Sequence, residues 1–123
     1  MEQNNTKQTK KIFTTKFNYS IPTEELKKIM PAVAPKFSGI PGCIWNRWLI
    51  NENNIDAGGV YLFESATELE QFLNSKLFAS VANNPDFSNL QTNTFDVAET
   101  ASIITGAPLT QMDFNYKSMA DDL

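Results

Sequence analysis

The 123 residues are 41% hydrophobic and 20% charged with a net charge of −4, a balance that fits one soluble globular domain with a single core. The acidity, with Arg47 as the sole arginine, argues against a nucleic-acid partner, because such proteins concentrate Lys and Arg. Histidine is absent and Cys43 is the one cysteine. This excludes an imidazole base, Ser-His or Cys-His nucleophile pairs, histidine ligation of zinc or haem, an internal disulfide and a cysteine zinc cluster.

Residues 1–10 are polar throughout, read as a disordered tail with no apolar segment of a signal peptide. No run approaches the ~18 apolar residues of a membrane span, so a cytoplasmic chain without a membrane partner is expected. The globular domain is expected over 11–109. Its first element, Lys11–Tyr19, alternates with period two: Phe13, Thr15, Phe17 and Tyr19 on one face, Ile12, Thr14, Lys16 and Asn18 on the other. That is a strand.

Ser20-Ile21-Pro22-Thr23-Glu24-Glu25 then starts a helix with hydroxyl caps and early acids. Leu26, Ile29, Met30, Val33 and Phe37 form its apolar stripe. Pro31 and Pro35 each lack an N–H, and predict a kink at Pro31 or an early end. After the turn at Ser38–Gly42, strands are expected over Cys43–Ile50 and Ala57–Glu64, paired across Asn51–Asp56. A capping box, Ser65-Ala66-Thr67-Glu68, opens a second helix with Leu69, Phe72, Leu73, Leu77 and Val81 on one side. Asn83-Asn84-Pro85-Asp86 ends it. Leu90–Val97 reads as a fourth strand, Glu99–Leu109 as a closing arm, and 110–123 as a polar extension.

The order strand, helix, strand, strand, helix, strand is the split βαβ, ferredoxin-like arrangement: an α+β fold with a four-stranded antiparallel sheet and both helices on one face. The other face would be bare and partly apolar, and a symmetric homodimer packing two sheets together would cover it.

The chemistry concentrates between Pro41 and Phe63. Trp45 and Trp48 lie an odd number of residues apart, so in a regular strand they face opposite ways: one toward the helices, one toward the dimer seam. Arg47 shares a face with Trp45, and Asn46 with Trp48. A strand arginine needs a partner or water; Asp96 and Glu64 are candidate carboxylates, and stabilisation of a substrate anion is the alternative. Tyr61 and Tyr19 offer phenolic hydroxyls, and Asn18 and Asn46 neutral donors. Arg47, Asn46 and Tyr61 are thus the catalytic candidates, with Trp45, Trp48, Tyr19, Phe17 and Phe63 as candidate substrate-binding walls. Gly58-Gly59 points to a bulge or a close approach, not a phosphate loop. No carboxylate pair or metal-ligand cluster stands out.

The run Ile40-Pro41-Gly42-Cys43-Ile44-Trp45-Asn46-Arg47-Trp48, followed by Asp56-Ala57-Gly58-Gly59-Val60-Tyr61-Leu62-Phe63, closely resembles the YdhR-type mono-oxygenase family. Phe95-Asp96-Val97-Ala98-Glu99 with Ile104 and Ala107-Pro108-Leu109 resembles the end of that family's domain. The resemblance implies a dimeric α+β barrel in which two protomers join their sheets. Some relatives in that superfamily are cofactor-independent mono-oxygenases acting on polycyclic aromatics, but the family brings no established catalytic set to transfer. The expectation is a mono-oxygenase that needs no haem, flavin or metal and uses molecular oxygen on a small aromatic or quinol-type molecule. A non-catalytic binding or sensing protein and an isomerase or lyase on the same barrel are the rivals.

Overall fold

Strands β1 (Lys11–Tyr19), β2 (Cys43–Asn51), β3 (Asp56–Phe63) and β4 (Phe87–Asp96) form one antiparallel sheet in the order β2-β3-β1-β4. Helices α1 (Thr23–Phe37), α2 (Ala66–Leu73) and α3 (Lys76–Ala82) connect them, and α4 (Glu99–Ile104) follows β4. This computed structural model describes residues 9–110. The expected tails, 1–10 and 110–123, therefore lie outside it except for residues 9, 10 and 110. Element order and strand order are those of the ferredoxin-like α+β fold.

In β1 the period-two pattern works as expected: Phe13, Thr15, Phe17 and Tyr19 are buried. The start of α1 differs from expectation. Pro22 is the N-cap, without a side-chain cap bond, and its carbonyl accepts from the N–H groups of Glu25 and Leu26 at 3.0 and 3.1 Å. The Thr23 hydroxyl is bonded to the Tyr19 hydroxyl at 2.8 Å instead. Nor does α1 end early. Pro31 and Pro35 sit four apart on its exposed side, where the carbonyls they leave unbonded are open to water.

The Pro41-Gly42 turn is closed by Cys43 N–H to the Ile40 carbonyl at 3.1 Å. Gly42 has φ 77°, the value a type II turn requires after its proline. The register against β3 slips between Cys43 and Trp45, a bulge that tucks Ile44 into the core. A 3₁₀ turn, Glu52–Asn54, closes the β2–β3 hairpin, and Ile55 leaves it at φ 48°. The left-handed region is costly for a β-branched residue.

The expected second helix is two helices. Asn74 and Ser75 interrupt it: the Ser75 N–H donates to the Phe72 carbonyl at 3.0 Å, and its Oγ accepts from the Phe78 N–H at 3.1 Å, capping α3. Both side chains favour caps and turns over helix interiors. At the start of α2 the Ser65 hydroxyl donates to the Glu68 carboxylate, joining the ends of the expected capping box side chain to side chain. Strand β4 starts three residues earlier than expected, at Phe87.

The core lies between the sheet and α1–α3. One cluster holds Phe13, Tyr61, Phe63 and Phe72, with ring centroids 5.2–6.3 Å apart. A second holds Phe17, Tyr19, Leu26 and Ala57. The outer face carries Ile12, Trp45, Arg47, Leu49, Val60 and Phe95, with Leu49 46% and Phe95 57% exposed. The arm after α4 returns to this side, where the Trp45 indole N–H donates to the Pro108 carbonyl at 3.0 Å. Among the described residues no helix is long and apolar enough to cross a membrane.

Candidate functional site

A cavity of about 170 Å³ opens between the sheet, α1 and α3. Three elements build it. From the sheet come Thr15, Phe17, Asn46, Trp48 and Tyr61, every one a residue that alternation turns toward the helices. Helix α1 adds Leu26, Met30 and Val33 from its i, i+4, i+7 stripe, and α3 adds Leu77 and Val81. An engineered apolar cavity of about 150 Å³ holds benzene, so this half-open space matches roughly one aromatic ring.

Trp48 packs edge-on against Phe37 with centroids 5.0 Å apart, and Phe17 stacks on Phe87 at 4.2 Å. These pairs supply aromatic walls. Gly59 leaves the wall open between two polar side chains: a Cβ there would lie 3.3 Å from Tyr61 Cε1 and 3.4 Å from Asn46 Nδ2. Its neighbour Gly58 has a different reason. A Cβ at Gly58 would fall 1.9 Å from the Thr15 carbonyl oxygen, so strands β1 and β3 approach there only because that position is glycine.

Asn46 and Tyr61 are the polar end of this cavity. The Asn46 Nδ2 donates to the carbonyls of Val60 and Arg47 at 3.2 and 3.3 Å. Two carbonyl partners fix which end of the amide is nitrogen. The buried Oδ1 has no partner among the described residues. Asn46 therefore has a spare acceptor and has used its donors, the reverse of the neutral-donor role expected of it. An unsatisfied buried acceptor is uncommon in folded proteins. The Tyr61 phenol is pushed up to about 12 by burial, helped by the nearby Cys43 and opposed by a hydrogen bond with the Thr15 side chain. It is a neutral donor across the physiological range. Burial likewise pushes the Cys43 thiol up to about 11, which makes it a poor nucleophile.

The structure gathers Asn46, Tyr61, Trp48 and Phe17 and leaves the other candidates elsewhere. Trp45 and Arg47 lie on the outer face, the guanidinium 4.4 Å above the centre of the Trp45 ring. The alternation that carries Trp48 inward carries these two outward. Neither expected carboxylate meets Arg47: Asp96 pairs with Lys11, and Glu64 with Lys10 at 3.8 Å. Tyr19 is buried against α1, its hydroxyl on Thr23, and Phe63 is fully buried in the core beyond Tyr61. Asn18 holds Asn89, accepting from its Nδ2 at 2.8 Å. Sequence reasoning had not assigned Lys36, Ser80, Asn84 and Phe87 to the cavity. Only the α1 stripe, which reaches Phe37 beside Lys36, pointed that way. Among the described residues no group of three or more Cys, Asp or Glu could hold a metal ion.

Fold and cavity together define a ferredoxin-like α+β protein with an internal space sized for a small ring. A family model described as "Putative mono-oxygenase ydhR" matches residues 12–108, and the chain belongs to that family. No curated protein matches it. Among solved structures it is similar to SnoaB, a cofactor-independent oxygenase from Streptomyces nogalater (TM-score 0.60, 13% identity, 74% of this chain and 95% of that one). It is also similar to a "putative antibiotic biosynthesis monooxygenase" from Caulobacter crescentus (TM-score 0.61, 17% identity, 76% and 93%). A third is the haem degrader MhuD from Mycobacterium tuberculosis, with two haems bound (TM-score 0.56, 19% identity, 72% and 95%). At these identities the likeness is one of fold.

Proposed function

We propose that the protein is a cofactor-independent mono-oxygenase acting on a small aromatic or quinol-type substrate in the cavity, and that it works as a homodimer joined through the outer sheet faces. The observation that carries this reading is the buried, unpartnered Asn46 Oδ1 beside the neutral Tyr61 hydroxyl, in a cavity whose remaining wall is mostly apolar, with Thr15, Lys36, Ser80 and Asn84 as its other polar residues. A phenolic hydroxyl entering between them would donate to Asn46 Oδ1. Tyr61 would donate to the oxygen on which negative charge develops as the substrate ionises. Phe17 and Trp48 would hold the ring flat and keep water away.

Molecular oxygen then reacts at the electron-rich carbon. Conversion of the ring CH₂ of the phenol's keto tautomer to C=O with release of one water balances the dioxygen, and the substrate supplies all four electrons. Arg47 and Trp45 belong in this reading to the dimer seam, with Leu49 and Phe95. The haem chemistry of one structural relative is not carried over, because the chain has no histidine and the cavity fits roughly one ring.

The absence of Asp and Glu from the described cavity wall favours one alternative, a binding or sensing protein, over an isomerase or lyase. Proton transfer as the whole reaction needs a base that titrates near neutrality, whereas Tyr61 is pushed up to about 12.

The test is oxygen uptake by chelator-treated protein with a panel of hydroxylated one- and two-ring aromatics. Substrate-dependent uptake is expected, falling by a factor on the order of 10²–10³ in Tyr61→Phe while the variant stays folded. Product formed under anaerobic conditions would mark an isomerase or lyase, and binding without turnover a sensor. Either result sinks the oxygenase.

A further inference from the structure

Beside the cavity lies a shallow groove of about 270 Å³ lined by Ile40, Pro41, Gln71 and Phe72. Cavity and groove share two residues, Lys36 and Leu77. Because the cavity suits roughly one ring, a larger ligand extends out of it, and the shared wall is where it would run into the groove.

The charges there are one-sided. Lys36 is exposed at the mouth and, like Lys28 and Lys76, has no carboxylate partner among the described residues, whereas Lys10, Lys11, Lys16 and Lys27 are each paired; of the unpaired lysines it is the one that lines the cavity. No Asp or Glu lines either the cavity or the groove among the described residues. The Gln71 amide in the groove likewise has no partner there. In a chain of net charge −4, an unpaired cation beside an apolar opening is a local reversal of sign.

We infer that the ligand of this cavity carries an anionic substituent, a carboxylate or a group of like charge, on the part that emerges, and that the Lys36 ammonium receives it. This rests on the cavity being the ligand site. The apolar ring would enter first, and the anionic end would stay half-solvated at the mouth, so the charge is never taken fully out of water. Lys36 would then decide which aromatic molecules are kept and how they are turned, a role separate from the polar end at Asn46 and Tyr61. The plain structural role is compensation of the α1 carbonyl end, since Lys36 lies in the last turn of that helix.

Two probes of equal shape separate these roles. Naphthoate and naphthamide differ in charge at one substituent, and their binding to the full chain is measured by calorimetry. The wild type is expected to bind naphthoate about fivefold tighter, the upper end for an exposed ion pair. That preference should fade in about 1 M salt, where screening acts within ~3 Å. Lys36→Gln should remove the preference and leave naphthamide affinity unchanged, while Lys36→Arg keeps it. Equal binding of the two probes by the wild type overturns the inference and leaves the cavity reading standing. A preference that survives Lys36→Gln overturns it too, and if that variant also melts earlier, Lys36 is a helix cap only. Should neither probe bind, the cavity reading itself falls and takes this inference with it. The salt series on the wild type decides the matter if Lys36→Gln does not fold.

Discussion

The helix-covered and outer faces of the sheet are made from alternate residues of the same strands, and they differ in what their polar groups do. On the covered side Tyr61 is buried with its phenol pushed up to about 12, and half-buried Asn46 holds a buried, unused acceptor. On the outer side Arg47 lies over Trp45 at the surface, and the charged groups meet one another or solvent. Residues 46 and 47 are neighbours in sequence and opposites in environment. Desolvation is what separates them: a neutral amide tolerates burial next to a cavity, and a guanidinium does not.

The sharpest test of this contrast is the glycine pair between the faces. Gly58→Ala puts a methyl group into the Thr15 carbonyl, and the strands must part. A loss of about 3 kcal/mol or more is expected in urea denaturation. Gly59→Ala meets the Arg47 carbonyl oxygen and two side-chain atoms at 3.3–3.4 Å, a crowding that shifts of a few tenths of an ångström relieve, and should keep the fold while narrowing the cavity. Equal costs at the two positions would refute this division.

Alkaline titration comes next in size. The buried Tyr61 and Cys43 both rise from their ordinary values of 10.0 and 9.0, to about 12 and about 11. Each is neutral when protonated, and the folded state holds its proton more tightly than the unfolded chain. Stability is therefore full below pH 9 and falls as pH climbs toward 12, Tyr61 contributing about 2–3 kcal/mol of that fall. Chemical denaturation at stepped pH should show it, and Tyr61→Phe should flatten it.

The adjacent pair on β2 gives a smaller effect. Asn46→Ala removes two side-chain hydrogen bonds to main-chain carbonyls and should cost about 1–2 kcal/mol. Arg47→Met keeps the stem over Trp45 and gives up a cation–π contact of about 0.5–1 kcal/mol. The two variants, compared by thermal unfolding, reverse the contrast if Arg47→Met is the costlier. A change of similar size belongs to neither face. Ile55 stands at φ 48° and is 53% exposed, so Ile55→Gly should raise stability by about 1 kcal/mol, strain relief outweighing added chain entropy.

Much of this architecture was legible in the chain. Alternation in β1, the serine and glutamate at the start of α2, and the Trp45–Trp48 spacing led to the order of elements along the chain and to the opposed placement of the two indoles. What sequence could not supply was distance. The choice of partner for Arg47 depended on which carboxylates the lysines of β1 would take, and on the bulge at Ile44 that sets the register of β2. The break at Asn74-Ser75 was hidden because Leu69, Phe72, Leu77 and Val81 keep a continuous helical period across it. Asn46 was a candidate from its place in the strand, but the direction of its amide depends on the Val60 carbonyl of a neighbouring strand.

That break has a mechanical meaning. The sheet side of the cavity is stitched by main-chain ladders on both flanks of β1 and β3, and it cannot yield without tearing them. The opposite side includes a seven-residue helix joined to α2 through two residues, capped by one serine and held to the core by side chains alone, Leu77, Phe78 and Val81. Short, lightly tethered elements open at a fraction of the energy of a central strand. The chamber thus has a stiff floor and a compliant roof. A guest slightly too large should therefore displace α3 before it spreads the strands, leaving the spacing of Asn46 and Tyr61 beneath it unchanged.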